Sequence, residues 1–346
     1  MNEQPKRPRP TKSGGILGNI VLLVVVLAVS ALVLEGMARL FIDDGYSYEL
    51  EMWKYATKVK TRDPRPDLGH RHRPNAKAEL MSVPVRTDAF GFRGPGIPET
   101  APAGTARIAF VGDSTTFGWG VAEQDTFAHQ VIADLQRKGR KVDGFNLGVG
   151  NYNTVQELAS FRDTGMRMKP DIIVLTYFIN DGEPVPTYTQ ESWLDLHSVA
   201  WIVFRYRLDS VIRQFGSRPD WKQYYRELYN PDASGWQNTQ KALAGFGEIS
   251  RQLGTPLIVF HLPELRELKP YPFADVTAKV RKVVEDQGLR FVDLLPTVEN
   301  LDPSSLWVTV PDPHPNAKAN TAFTPGMVRE ILPLLDQLCT KQSKGC

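Results

Sequence analysis

Cysteine and histidine are scarce in this chain, and their shortage excludes most kinds of metal site. The 346 residues include two cysteines and six histidines. Both cysteines, Cys339 and Cys346, lie in the C-terminal tail, residues 339–346, so no zinc-type spacing of thiolates exists. In an oxidising compartment the pair can form a disulfide, and otherwise two free thiols remain. The sequence leaves both alternatives open.

A charge excess is also lacking, which argues against nucleic-acid binding. The chain has 41 basic and 39 acidic residues, a formal net charge of +2, and no basic stripe with interleaved aromatic residues. His70 and His72 lie two positions apart in a Gly-His-Arg-His-Arg-Pro segment. Because no third ligand lies nearby, we interpret them as solvated loop residues and predict neither a metal nor an organic cofactor.

Long hydrophobic runs are absent except for one near the N-terminus. Residues 16–34 form an uncharged apolar run that is long enough to cross the ~30 Å hydrocarbon core of a bilayer as a helix. Basic residues precede the run and acidic residues follow it, so the positive-inside rule places residues 1–15 in the cytoplasm. We interpret the run as an uncleaved signal anchor of a single-pass protein. A signal peptide cleaved after Ala31 is the alternative.

Short apolar strands alternate with amphipathic helices over residues 106–338, which predicts one doubly wound α/β domain. Residues 35–105 form a connector between this domain and the apolar run. The predicted strands are 107–111, 142–147, 171–178, 256–261 and 290–292. The predicted helices are 126–138, 154–168, 236–253, 274–287 and 317–338. The pattern indicates a parallel sheet of about five strands that is covered on both faces.

An aromatic-rich insertion, residues 182–235, interrupts this alternation after the third predicted strand. Because it follows the carboxyl end of a strand, it is a candidate lid or substrate wall. We favour a helical subdomain that buries its aromatic residues in a core of its own. Contact with a membrane interface is a third alternative. The aromatic residues are Tyr188, Trp193, Trp201, Phe204, Tyr206, Trp221, Tyr224, Tyr225 and Tyr229.

The first predicted strand of this domain ends on Gly112-Asp113-Ser114, a segment suited to presenting a nucleophile. Gly112 permits a tight turn after the apolar run. Ser114 is thereby placed at the carboxyl end of a strand, where ligands bind in open α/β sheets. A serine hydroxyl is a weak nucleophile at neutral pH, so catalysis by Ser114 requires a base.

His314 is the candidate base, and Asp312 is the candidate residue that orients it. Prolines flank both positions and favour an extended backbone, in which residues i and i+2 face the same way. Asp312 can then hold Nδ1 of His314. In that arrangement His314 takes a proton from Ser114 and later returns it to a leaving group.

Two further loops at predicted strand ends offer hydrogen-bond donors for an oxyanion. The loop 146–154 contains Gly150 and Asn151 and has backbone N–H groups ahead of a helix. Asn180 follows the third predicted strand and can donate from its side-chain amide. Alone, each is typical of an ordinary turn or helix cap. Together with Ser114 and His314 at strand ends of one sheet, they indicate an acyl-transfer site.

These four blocks, in this order, resemble the sequence blocks of the SGNH/GDSL hydrolase family over about two-thirds of the chain. The resemblance implies a flavodoxin-like three-layer α/β/α sandwich with Ser114 as nucleophile and His314 as base. It also implies an oxyanion hole from the Ser114 N–H, a loop N–H and the Asn180 side chain. Members of the family are esterases, lipases, deacetylases and some acyltransferases. The segment Phe90-Gly91-Phe92-Arg93 is similar to the region before Gly-Asp-Ser in membrane-anchored bacterial members, and we attach no catalytic role to it.

The chain departs from the family pattern at two positions. The acid usually lies three residues before the histidine, whereas Asp312 lies two before His314. That spacing resembles an Asp-x-His variant among polysaccharide O-acetylation proteins of this superfamily. The family's oxyanion glycine aligns at Asn151, beside Gly150, and either backbone N–H can serve as the donor.

We therefore expect a serine esterase or deacetylase that is anchored in a bacterial inner membrane through residues 16–34, with its catalytic domain periplasmic or extracellular. The expected substrate is an O-acylated cell-envelope glycan or another ester. An O-acyltransferase that uses a sugar hydroxyl as acceptor at the same site is one alternative. A catalytically silent anchored subunit of an envelope or membrane complex is another.

Overall fold

The N-terminal apolar run forms one long helix, α1 (Ser13–Phe41). The computed structural model describes residues 13–187, 191–214, 220–310 and 312–341, so most of the predicted cytoplasmic tail lies outside the described residues. The mean hydropathy of α1 reaches 2.9 in its most apolar stretch, none of which is buried. By length and composition α1 can cross a membrane. It continues unbroken through Ala31, the alternative cleavage point.

The connector is folded, and it packs against the segment that carries Ser114. It holds α2 (Tyr48–Lys54), a π turn at Tyr55–Val59 and two antiparallel strand pairs. The pairs are β1 (Lys60–Arg62) with β2 (His70–His72), and β3 (Lys77–Leu80) with β4 (Val83–Arg86). Tyr55 and Val59 share one hydrophobic cluster with Phe117 and Trp119. The connector is therefore part of the structure around the candidate site.

Five parallel strands form the central sheet, as the sequence predicts. They are β5 (Ala106–Val111), β6 (Val142–Asn146), β7 (Ile172–Tyr177), β8 (Leu257–His261) and β9 (Arg290–Asp293), in the order β6-β5-β7-β8-β9. In β5, Ala109 and Val111 lie in one hydrophobic cluster, and Ile108 and Phe110 lie in a second. Since alternate side chains point to opposite faces of a strand, both faces of the sheet are covered.

Helices cover both faces of this sheet and complete a three-layer α/β/α sandwich. The helices after α2 are α3 (Ser114–Phe117), α4 (Phe127–Arg137), α5 (Thr154–Ser160), α6 (Trp193–His197), α7 (Val199–Gln214), α8 (Trp221–Leu228), α9 (Ser234–Leu253), α10 (Ala274–Asp286) and α11 (Ala317–Lys341). Phe246 of α9 and Val280 of α10 pack on one face. Val131 of α4 and Phe323 of α11 pack on the other. The fold class predicted from the sequence is therefore confirmed.

The described residues of the insertion form no core of their own, which corrects the interpretation we favoured from the sequence. Val199 and Ile202 of α7 are buried against Ala38 of α1 and Leu50 of α2. Tyr229 is instead buried in the sheet core, in the same cluster as β7 and α9. The exposed fractions of Trp193 and Phe204 are 70% and 56%. Tyr188 lies outside the described residues.

A short hairpin that the sequence does not predict carries the segment of Asp312 and His314. It pairs β10 (Trp307–Thr309) with β11 (Asp312–Pro315) and leads directly into α11. Cys339 lies in α11 and is disulfide-bonded. Cys346 lies outside the described residues.

Candidate active site

A close approach at Gly112 places Ser114 at the carboxyl end of β5. A Cβ at Gly112 would lie 2.1 Å from Oγ1 of Thr116 and 2.2 Å from Oγ1 of Thr176, so only glycine fits there. Ser114 begins α3 directly after this turn, and the Asp113 carboxylate accepts the Thr115 N–H at 2.8 Å, which caps the helix. Ser114 is 9% exposed, so the nucleophile candidate is buried but not sealed.

The structure brings Ser114, His314 and Asp312 together. Oγ of Ser114 lies 2.9 Å from Nε2 of His314, and Nδ1 of His314 lies 2.5 Å from Oδ1 of Asp312. Because the carboxylate can only accept, Nδ1 carries the proton and Nε2 is free to accept the Ser114 hydroxyl proton. The extended backbone of β11 makes this contact possible across two residues, so the short Asp-x-His spacing is sufficient.

Asp312 is held as an anion inside the fold. Its exposed fraction is 1%, and burial alone would raise the pKa of its carboxyl group. The hydrogen bond and charge of His314, together with the hydrogen bond from Nε1 of Trp119 at 2.7 Å, outweigh burial and lower this pKa below its ordinary value. An ionised carboxylate at this position is suited to stabilising a positively charged imidazole ring on His314.

Gly150 is not available as an oxyanion donor, which corrects one of the two alternatives from the sequence. Its N–H donates to the Tyr55 hydroxyl over 2.8 Å. Asn151 differs, because no main-chain acceptor for its N–H is found among the described residues. Its φ of 66° lies in the left-handed region. The loop therefore leaves the Asn151 N–H as its available donor.

Asn180 lies in a turn of 3₁₀ helix, Ile179–Gly182, directly after β7. Strands β7 and β5 are neighbours in the sheet, so Asn180 and Ser114 follow adjacent carboxyl ends. Oδ1 of Asn180 is buried, and within the described part of the chain it has no hydrogen-bond partner. Its Nδ2, the donor that an oxyanion needs, also makes no hydrogen bond to the described part of the chain, so the amide group is not committed to a protein partner.

Aromatic residues that the sequence did not indicate surround His314. The Tyr48 ring stacks on the His314 ring at a centroid distance of 6.3 Å and an interplanar angle of 26°. The Trp119 ring lies 6.3 Å from His314 at 52°. Trp119 follows the Gly-Asp-Ser segment closely and could have been suspected. Tyr48 lies in the connector and gave no signal, because its contact with His314 spans most of the chain.

His70 and His72 are buried, which corrects their interpretation as solvated loop residues. Their exposed fractions are 5% and 4%, because alternate residues of β2 face the same side. Burial, followed by the charge of Lys60, lowers the pKa of His70 to about 2 and that of His72 to about 3, so both rings are neutral. No group of three potential metal ligands occurs among the described residues.

The Phe90-Gly91-Phe92-Arg93 segment fastens the end of α3. The buried Arg93 guanidinium donates to the carbonyl oxygens of Phe117, Gly118 and Val121. Burial lowers the pKa of Arg93 to about 10, which leaves it charged at neutral pH. A cation at the last carbonyls of a helix is favourable, so Arg93 supports the helix that begins with Ser114.

Comparisons with known proteins find one matching family model and several similar solved structures. The model of the GDSL-like Lipase/Acylhydrolase family matches residues 110–322. The structure of TesA is similar at 15% identity, 66% coverage of this chain, 99% of that chain and a TM-score of 0.44. The structure of Axe2, an acetylxylan esterase from Geobacillus stearothermophilus, is similar at 16% identity, with 65% of this chain and 94% of that chain covered and a TM-score of 0.43. The structure of the psychrotrophic esterase EstA from Pseudoalteromonas sp. is similar at 14% identity, with 66% of this chain and 98% of that chain covered and a TM-score of 0.41.

No curated protein sequence matches the chain. The family model nevertheless spans more than half of it and includes the blocks of Ser114, Asn151, Asn180 and His314. The matched residues begin within β5, end within α11 and include strands β6 to β9, with Ser114 and His314 in hydrogen-bonding contact. The chain therefore belongs to the GDSL-like lipase/acylhydrolase family.

Proposed function

We propose that this protein is a membrane-anchored serine esterase that forms an acyl-enzyme at Ser114. The observation that carries the proposal is the hydrogen-bonded series from Ser114 Oγ to His314 Nε2 and from His314 Nδ1 to Asp312. A nucleophile, a base and a group that orients the base are the parts that acyl transfer by serine requires.

In the acylation step, Ser114 Oγ attacks the ester carbonyl carbon while His314 Nε2 takes the hydroxyl proton. The oxyanion that forms is stabilised by the N–H groups of Ser114 and Asn151 and by the side-chain amide of Asn180. The carbon–oxygen bond to the leaving alcohol then breaks. His314 gives its proton to that alcohol, and the acyl group remains on Ser114.

In the deacylation step, water takes the place of the leaving alcohol. His314 removes a proton from the water, and the oxygen attacks the acyl carbon through the same oxyanion donors. The bond to Ser114 Oγ breaks, and the serine recovers its proton from His314. The Ser114 proton leaves with the alcohol and a water proton replaces it, so Ser114 and His314 end the cycle in their starting protonation states and the chemistry calls on no metal or organic cofactor.

The proposed substrate is an O-acylated glycan of the cell envelope or another ester outside the cytoplasm. By length and composition helix α1 can cross a membrane, and basic residues precede it in the sequence. The disulfide at Cys339 is typical of an oxidising compartment. Glu35 accepts the N–H groups of Val199 and Ala200, so the end of α1 is fastened to the catalytic domain. The intact mass of the membrane-extracted protein tests the anchor, because cleavage after Ala31 would shorten the chain.

An O-acyltransferase is the second candidate, and the burial of Ser114 favours it. Only 9% of Ser114 is exposed and the Tyr48 ring stacks on His314, so an acceptor that packs against this ring would displace water from the acyl-enzyme. A bound sugar hydroxyl could then replace water in the second step. The silent-subunit alternative is disfavoured, since Ser114 lies within hydrogen-bonding distance of His314.

The full chain in detergent, incubated with an aryl acetate, tests this proposal. We expect release of the aryl alcohol by the wild type and none above background by Ser114→Ala with an unchanged melting temperature. Product analysis with and without a glycan acceptor separates the two reactions: free acetate indicates hydrolysis and acetylated glycan indicates transfer. A folded wild type that releases neither product contradicts both.

A further inference from the structure

Lys60 is a buried cation without an acidic partner, and it contacts the proposed oxyanion loop. Lys60 is the first residue of β1, and its exposed fraction is 7%. Its Nζ donates to the Gly150 carbonyl oxygen at 2.6 Å and to Oδ1 of Asn151 at 2.8 Å. It also lies 4.3 Å from the centre of the Tyr55 ring. Lys60 forms no ion pair with a carboxylate in the described part of the chain.

A buried ammonium group without a carboxylate is costly, because it gives up its hydration for contacts with neutral groups. A methionine or leucine of similar size would fill the same space without that cost. The position of Lys60 is therefore not explained by packing. What distinguishes the lysine is the charge that it places on one particular peptide group.

The peptide group in question joins Gly150 to Asn151. Its oxygen accepts from Lys60 and lies 3.0 Å from Nε2 of His70. Its N–H is the Asn151 N–H, the available loop donor. In a trans peptide the C=O and N–H bonds point in opposite directions and share one resonance system. A cation on the oxygen therefore draws electron density from the nitrogen and strengthens the N–H as a donor on the opposite side.

The connector also fixes the direction in which this N–H points. The Gly150 N–H donates to the Tyr55 hydroxyl, which lies 2.6 Å from Nε2 of His72. His72 Nδ1 lies 3.0 Å from the Gly91 carbonyl and must donate to it, so Nε2 accepts the Tyr55 proton. Both ends of Gly150 are thus held by connector side chains. Asn151 is held in its left-handed conformation through the contact of its side chain with Lys60.

We propose that Lys60 is a positioning residue for acyl transfer: its ammonium group, acting through the Gly150–Asn151 peptide, orients and polarises the Asn151 N–H toward the oxyanion. This inference rests on the proposed function of Ser114. It assigns a part of the oxyanion hole to the connector, outside the matched family region 110–322.

The surroundings of Lys60 make its charge sensitive to pH near neutrality. Burial lowers the pKa of Lys60 to about 7. The titratable groups that face it are Tyr55, His70 and His72. The two histidines stay neutral because their pKa values are lowered, and Tyr55 stays protonated because burial raises its pKa. Within this cluster only Lys60 changes charge near pH 7. Loss of its proton as the pH rises weakens the polarisation and should lower kcat.

Steady-state kinetics of the full chain with an aryl acetate between pH 6 and 9 test the inference. Lys60→Met should lower kcat at pH 6 by about 10–100-fold, less than the loss of a whole donor, with little change in KM. It should also remove the fall in kcat above pH 7. Lys60→Arg keeps its charge and should retain kcat up to pH 9. The matched control is Lys58→Met, which removes an exposed lysine two positions away.

Other outcomes would contradict either the role of Lys60 alone or the proposed function as well. A folded Lys60→Met with the kcat and pH profile of the wild type overturns the role of Lys60 and leaves the proposed function intact. If the methionine variant does not fold, a wild-type kcat that stays flat from pH 6 to 9 overturns it. A wild-type protein that is as inactive as Ser114→Ala overturns the proposed function, and the role of Lys60 with it.

Discussion

Nε1 of Trp119 donates a hydrogen bond to Oδ2 of Asp312 over 2.7 Å, so the carboxylate that contacts His314 is itself held by a residue that closely follows Ser114. Oδ1 of the same carboxylate contacts His314. The two oxygens of Asp312 thus have separate hydrogen-bond partners. This explains how an acid only two residues before the histidine is kept in a productive orientation.

Trp119→Phe should weaken this arrangement without dismantling it. A hydrogen bond to a charged group contributes about 1.5–3 kcal/mol, and if half of that is expressed in the transition state, kcat falls about 3–10-fold. In the wild type the Trp119 hydrogen bond lowers the pKa of Asp312. Its loss in Trp119→Phe therefore raises this pKa and shifts the acidic limb of the activity profile to higher pH. A pH profile of kcat/KM measures both effects. Trp53→Phe, which removes an indole bond to the Asp195 carbonyl instead, should leave the profile unchanged.

Asn180→Ala should remove one of the three proposed oxyanion donors. We expect kcat to fall about 10²–10³-fold with KM little changed, since the donor acts on the charge that develops in the transition state. The kcat of Asn180→Asp should fall at least as far, because a carboxylate replaces the donor with a negative charge. If both variants keep wild-type kcat, the amide of Asn180 does not contact the oxyanion.

Glu157→Gln should change how stability depends on pH. Glu157 is 1% exposed, and burial, followed by the charges of Asp181 and Asp113, raises its pKa well above the ordinary value. The folded chain therefore keeps a proton that the unfolded chain releases. This stabilisation is complete below the unfolded pKa and is lost as the pH rises through the folded one.

The glutamine variant carries no titratable proton, so it should melt a few degrees above the wild type at pH 8. The difference should shrink toward pH 5, and thermal unfolding at both pH values measures it. Glu248→Gln, on the exposed side of α9, is the control and should shift neither melting temperature. An equal shift for Glu157→Gln at both pH values would contradict a raised pKa at this position.

The sheet and the relation of Ser114 to His314 could be predicted because their signals are local. Apolar runs bounded by turn residues define β5 to β9, and parallel strands bring their carboxyl ends to one edge. The extended backbone around Asp312 follows from its flanking prolines. The hairpin of β10 with β11 has no such signal, because its short strands are set by pairing rather than by an apolar run.

The contribution of the connector could not be predicted, because it depends on contacts between distant parts of the chain. Tyr55 takes the Gly150 N–H across 95 positions, and Lys60 reaches the Gly150 carbonyl across 90. The prediction of a separate core within the insertion is wrong for the same reason. Val199 and Ile202 have the spacing of a buried helix face, but spacing does not say that the face packs on α1 and α2.

Labelling of the full-length protein with a fluorophosphonate probe tests the central claim most directly. The probe reacts when serine Oγ attacks phosphorus and fluoride leaves, so it reports an activated hydroxyl without requiring the natural substrate. We predict labelling of the wild type at Ser114, none in Ser114→Ala or His314→Ala, and reduced labelling in Asp312→Ala. Undiminished labelling of Ser114→Ala or His314→Ala, or no labelling of the folded wild type, would contradict it.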